Sequence, residues 1–191
     1  MESHREGLIS QTPQLFFVAI LPDEQIQQEV TAFKLAAAEQ FGSRHALKSP
    51  PHITLIPPFK WSADEMPVIQ ESLTAAASQL APFPIHLQNF DHFGQRVIFV
   101  DVKTDESLVN CYQLTANVFH QHLGITPDTR PFHAHMTVAF KDLQRKVFRD
   151  AWAYFSQQPY DRTFTAHALT LLKHTGQKWE VLETGLMNNE R

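Results

Sequence analysis

Apolar residues change their spacing several times along the chain, and each change marks an element. Residues 14–21 form a run rich in strand formers, closed by Pro22-Asp23, which turns the chain and can cap a helix. Ile26, Val30, Phe33, Ala37 and Phe41 then recur at helical spacing, predicting a helix over 24–41 with Gly42 as its stop. A Pro-flanked strand around 52–55 follows. A helix is predicted over 64–80, with Ser62 as N-cap and Pro67 tolerated in its first turn. Residues 85–92 and 97–103 read as a hairpin around Gly94, and 108–123 as a helix ending at Gly124. A second motif strand covers 135–140, and Asp142 is placed to cap a helix running to about 157. Residues 164–173 and 178–182 close the chain as a hairpin around Thr175-Gly176.

The order helix, motif strand, helix, hairpin thus occurs twice, with little identity between the halves outside the motif. This is repetition of architecture and not a repeat array. It predicts an α+β fold: two pseudo-symmetric lobes, each an antiparallel sheet with flanking helices, around a central cleft. Residues 1–13 are expected to form a flexible tail, and 14–191 a single bilobal domain.

The motif itself carries the chemistry. Pro51-His52-Ile53-Thr54-Leu55 and Ala134-His135-Met136-Thr137-Val138 each contain His-x-Thr in an apolar strand, 83 positions apart. Residues i and i+2 of a strand share a face, so His52 projects with Thr54 and His135 with Thr137, while Ile53 and Met136 turn into the core. Two imidazoles and two hydroxyls delivered by similar lobes can surround one small anion, for which a phosphodiester is the natural candidate. Histidine suits both proton-transfer roles, because its unperturbed pKa of about 6.5 lies near working pH. Different surroundings can keep one copy neutral and the other protonated. The threonine hydroxyls can donate to the nonbridging oxygens. This chemistry needs no cofactor and no metal.

Composition narrows the partners. Sixteen Lys and Arg against twenty Asp and Glu give a net charge of −4, so no long nucleic acid is expected as a partner. The single cysteine, Cys111, can form no intramolecular disulfide and fits a reducing compartment. The first residues are polar with no apolar signal core behind them, and no apolar run approaches membrane-spanning length. The expected location is the cytoplasm.

The paired motifs, with Pro-Pro-His-Ile-Thr-Leu and the opening Phe16-Phe17-Val18-Ala19-Ile20-Leu21-Pro22, resemble the two-histidine (2H) phosphoesterase superfamily, particularly its bacterial 2′-5′ RNA ligase-like branch. The resemblance covers roughly residues 14–186. It implies a cleft with His52 and His135 as the acid/base pair and Thr54 and Thr137 binding phosphate. It implies activity on 2′,3′-cyclic phosphates or 2′-5′ linkages of nucleotides or small RNA ends, or reversible 2′-5′ RNA ligation. A noncatalytic nucleotide- or RNA-binding module is the remaining alternative. One departure is Ala134, where the second motif commonly has Pro; it comes with an extra imidazole, His133, on the same face as His135.

Other candidates surround the motifs. Arg130 has the donors to hold a second phosphate or a ribose-linked oxygen. Lys60 and Lys141 follow the two motif strands. Phe59, Trp61 and Phe132 are candidates for stacking a base. His133 and His135, like His120 and His122, have an i, i+2 spacing found in some metal sites, but neither pair brings a third ligand at a telling distance along the chain.

Overall fold

In the computed structural model, which describes residues 13–188, the first strand, β1 (Gln14–Ile20), leads directly into helix α1 (Glu24–Phe41). Asp23 is the cap: its Oδ1 accepts the Ile26 amide at 3.0 Å, and Gly42 ends the helix at a left-handed φ of 72°. Of the expected tail, residues 1–12 lie outside the described residues. A 3₁₀ turn over His45–Lys48 leads to β2 (Ile53–Trp61), and α2 (Met66–Ala77) carries Pro67 in its first turn, as expected. The hairpin β3 (Phe83–Phe93) and β4 (Val97–Val102) precedes α3 (Glu106–Leu123), which Gly124 terminates. β5 (His135–Ala139), α4 (Arg145–Ser156), β6 (Asp161–Ala166), β7 (Ala168–His174) and β8 (Trp179–Leu186) complete the order.

The strands form two antiparallel four-stranded sheets, β2-β1-β7-β8 and β5-β4-β3-β6, with helices flanking both. Helices α2 and α3 pack on the first sheet, α1 and α4 on the second. Helix α1 is therefore donated across: it follows a strand of the first sheet but lies against the second. Glu29 fixes it there, accepting from the Tyr160 hydroxyl at 2.9 Å and from the Arg162 guanidinium at 2.9–3.2 Å.

Three local readings are corrected. Residues 164–173 are not one strand. The chain breaks at His167, with β6 pairing to β3 in one sheet and β7 to β1 in the other. Asp142 does not cap α4, which begins after Gln144. Its carboxylate instead reaches back about a hundred residues, accepting from the Ser43 hydroxyl at 3.0 Å and from the Arg44 and His45 amides at 2.9 Å. Ser62 likewise caps nothing through its side chain, because a 3₁₀ turn over Ala63–Glu65 intervenes before α2.

A continuous apolar core fills the space between sheets and helices, with Phe16, Val18, Ile20, Ile53, Leu55, Met136, Val138 and Phe155 all essentially inaccessible. Alternation sends Phe17 and Ala19 to the other face of β1, where they join Leu172, Leu21 and Trp179 in a second, smaller cluster. Cys111 is buried on α3, and burial pushes its thiol up to about 12, as an inert core residue should behave. Among the described residues no helix is long and apolar enough to cross a membrane.

Candidate active site

Both motif strands are sheet edges. β2 borders one sheet and β5 the other, and the two approach one another. Alternation then does what the spacing predicts: Ile53, Leu55, Met136 and Val138 are buried in the core, while His52, Thr54, His135 and Thr137 keep partial exposure on the opposite faces. The two imidazoles are near enough to couple: a charge on His135 disfavours a charge on His52.

Each imidazole is held by one backbone carbonyl. His52 Nδ1 lies 2.7 Å from the Pro50 carbonyl, and His135 Nδ1 lies 2.7 Å from the His133 carbonyl. A carbonyl only accepts, so Nδ1 carries the hydrogen in both rings. Nε2 is left as the atom able to take or give a proton. Burial pushes His52 down to about 4; the Pro50 bond opposes this, and the charges of Lys34 and His135 add to it. His135 is also lowered by burial, against the His133 carbonyl and with the His133 charge. Both rings are thus predominantly neutral in the unliganded protein at pH 7. Neither threonine hydroxyl is used by another described residue.

Aromatic rings bracket the pair. Phe17 lies 4.8 Å from the His52 ring, centroid to centroid, and Trp179 meets Phe17 edge-on at 4.6 Å. Across the cleft Phe93 and Phe99 lie 5.0 and 5.2 Å from His135. His133 is on that side too, 51% exposed, with Nε2 3.8 Å from Asp101 Oδ1 and its ring 5.0 Å from Phe93. The sequence reading missed Phe17, Phe93, Phe99 and Trp179. The signal available for Phe17 was its parity: it is one residue out of step with the core positions Phe16 and Val18.

Several sequence candidates fall elsewhere. Phe59 turns to the core side, 6.0 Å from Phe16 and 6.2 Å from Phe119, because two register shifts along β2 bring it opposite the core residue Phe16 of β1. Trp61 also packs against the core. Phe132 stacks on Tyr112 of α3 at 4.1 Å with rings nearly parallel, so it covers the core edge and offers no free face on that side. Arg130 is 83% exposed and forks onto Asp128, with Nη2 2.6 Å from Oδ2 and Nε 3.1 Å from both oxygens. Lys60 and Lys141 are exposed, Lys141 lying over its neighbour Phe140. His120 donates Nδ1–H to the Ile125 carbonyl, and His122 to the Ser72 hydroxyl, so both serve the end of α3. Among the described residues no group of three His, Cys, Asp or Glu side chains is placed to hold a metal ion.

Two antiparallel four-stranded sheets with flanking helices, each with a histidine at an edge strand, define an α+β class. The sequence model described as the 2′-5′ RNA ligase superfamily matches residues 22–178, and the chain belongs to that family of two-histidine phosphoesterases. The RNA 2′,3′-cyclic phosphodiesterase of Bacillus subtilis (strain 168) is 35% identical over 96 residues, covering 47% of this chain and 51% of that protein. Escherichia coli LigT complexed with 3′-AMP shares the fold at a TM-score of 0.66 and 17% identity, over 93% of this chain and 99% of that one. TT0787 of Thermus thermophilus does so at a TM-score of 0.68 and 18% identity, over 93% of this chain and 100% of that one.

Proposed function

We propose that this protein is a metal-independent phosphodiesterase that opens 2′,3′-cyclic phosphates on nucleotides or small RNA ends, and that residues 14–191 act as one bilobal cytoplasmic unit. The observation that carries the proposal is the matched pair of Nδ1–carbonyl bonds, which leaves Nε2 of both His52 and His135 available to exchange a proton with substrate. The name of the B. subtilis relative supports the substrate class.

In the reaction, a water oxygen bonds to phosphorus while its proton passes to Nε2 of His52, the ring that burial holds more strongly neutral. The bond from phosphorus to one ribose oxygen breaks, and that oxygen takes the proton on Nε2 of His135. Thr54 and Thr137 donate to the nonbridging oxygens as their charge grows. The substrate is itself a base-shifting agent: a phosphate anion against both rings favours their charged forms and raises them toward working pH. After product leaves, proton exchange with solvent restores His135 as acid and His52 as base.

The test is turnover of 2′,3′-cyclic nucleotides and short 2′-5′ linked oligonucleotides in EDTA, with wild type beside the His52→Ala/His135→Ala double variant. Hydrolysis of the cyclic phosphates by wild type alone is expected. Equal turnover by both proteins, or its loss on chelation, would overturn the mechanism. Cleavage of the 2′-5′ linkage without ring opening would move the substrate class.

A further inference from the structure

Behind His52 lies a cavity of about 240 Å³ that the histidine pair does not use. Lys34, Lys48 and Lys178 line it together with Thr31, Pro50 and Trp179, and no carboxylate residue belongs to its lining. Two of these residues also serve the candidate active site. The Pro50 carbonyl holds His52, and Trp179 packs on Phe17, which touches the His52 ring. Cavity and cleft therefore share a wall.

Lys34 gives the cavity its character. It projects from α1, is 2% exposed, and its Nζ donates one hydrogen bond to the Ser49 carbonyl at 2.9 Å. An ammonium has three donors, so two remain for a ligand. A buried lysine without a carboxylate partner is an expensive feature for a core, and fully buried lysines are rare unless paired. Burial lowers its ammonium to about 7, so an anion entering the cavity would restore its full charge. Lys48 follows from the 3₁₀ turn, and Lys178 from the turn before β8, where it also pairs with Glu180 at 3.0 Å. Lysine is a point charge with freely rotating donors, suited to a phosphate of variable orientation.

We infer that this lysine-lined cavity is a second phosphate subsite, and that the preferred substrate carries a phosphate on the 5′ side of the nucleotide whose cyclic phosphate lies between the histidines. That phosphate is either a 5′-monoester or the internucleotide diester of an RNA 3′ end. The inference rests on the proposed function and narrows its substrate class. It also fits a net charge of −4: a short RNA end is gripped at two phosphates and no basic surface is needed for a longer strand.

The test compares three substrates: adenosine 2′,3′-cyclic phosphate, its 5′-phosphorylated form, and the dinucleotide ApA ending in a 2′,3′-cyclic phosphate. Wild type is expected to show a KM about tenfold lower for one or both phosphate-bearing substrates, the scale of one charge-assisted contact. The dinucleotide and the 5′-monoester arms separate the two sources. In Lys48→Ala/Lys178→Ala and in Lys34→Met the KM ratio should collapse toward one. Lys146→Ala, on the exposed face of α4, should keep it. An equal KM for all three substrates in wild type, or a ratio that survives the lysine changes, would overturn the subsite.

A binding arm separates this from failure of the proposed function. Calorimetric titration with adenosine 3′,5′-bisphosphate and adenosine 3′-monophosphate needs no turnover. Tighter binding of the bisphosphate, lost in the lysine variants, supports the subsite even if no cyclic phosphate is opened. Indistinguishable binding removes the subsite even if hydrolysis is observed.

Discussion

His52 and His135 make the same hydrogen bond at the same length, each to the carbonyl two residues before it, Pro50 and His133, at 2.7 Å. The two copies differ in their surroundings. His52 sits against Phe17 with Lys34 nearby, and His135 lies between Phe93, Phe99 and a second imidazole. Identical tautomers in unequal environments are what a division into base and acid requires.

The proposed division has a pH signature. With His52 pushed to about 4 and His135 lowered below the ordinary 6.5, kcat/KM should follow a bell. Its acid limb lies near 4, and its alkaline limb falls below 6.5. The residual activity of His135→Ala, reduced on the order of 10²-fold or more, should lose the alkaline limb and keep the acid one. A His135→Ala profile that loses the acid limb instead would exchange the two roles.

Removing a single hydroxyl is milder. Thr54→Val and Thr137→Val preserve shape and strand propensity and delete one donor each. Each should lower kcat by about tenfold, within the range for one hydrogen bond to a charged group. Steady-state kinetics with 2′,3′-cyclic AMP checks this, and an unchanged kcat in both variants would remove the threonines from the reaction.

Lys34 imposes a stability that depends on pH. Its folded value of about 7 lies below its ordinary 10.5, so between those values the unfolded chain binds the extra proton. Stability should therefore rise with pH from about 7 toward 10.5, and the destabilising effect is fully present below 7. Lys34→Met should abolish this rise. Urea midpoints at neutral and alkaline pH measure the difference, and parallel pH dependence in the two proteins would contradict it.

Asp142 joins segments far apart in sequence. Deleting its carboxylate by Asp142→Ala leaves the Arg44 and His45 amides and the Ser43 hydroxyl without their acceptor. A loss of about 1–2 kcal/mol in unfolding free energy is expected, the scale of losing a side-chain cap. Asp142→Asn keeps one acceptor and should recover part of it.

Gly185 marks a tight approach of β8 to α2. A Cβ there would meet the Ala77 Cβ and the Leu73 carbonyl oxygen, both at 3.1 Å. Gly185→Ala should destabilise by about 1–3 kcal/mol, read from the denaturant midpoint. Because β8 lies on the far side of the sheet from β2, the two histidines should titrate as before.

The parts of the fold fixed by neighbours in sequence were legible. Helix α1 was readable because Asp23 and Gly42 mark its ends chemically, and the motif strands because alternation assigns a face to each residue. What escaped reading depended on partners distant along the chain. Nothing local distinguishes β6 from β7, since Phe164 to Leu172 stays strand-like while the hydrogen-bonding partner changes sheets at His167. Asp142 reads as a cap for the helix after it, yet it serves the turn after α1. The four catalytic candidates were visible as a repeated pattern. The aromatic bed beneath them was not, because β1 is apolar on both faces and its sequence alone does not say which face is the cleft.

The change of sheet at His167 has a consequence for how the chain comes together. Once synthesis has passed β5, both histidines exist, but the first sheet has only β1 and β2 and the second still lacks β6. Neither half of the polypeptide is a subunit in its own right. The second sheet is completed only when β6 arrives and the first only when β7 and β8 follow, and the β1–β7 pairing spans most of the sequence, which makes folding slow relative to the local helices. The symmetry seen in the finished cleft is thus absent from its assembly, and the nascent chain carries its candidate catalytic groups before it has a cleft to hold them.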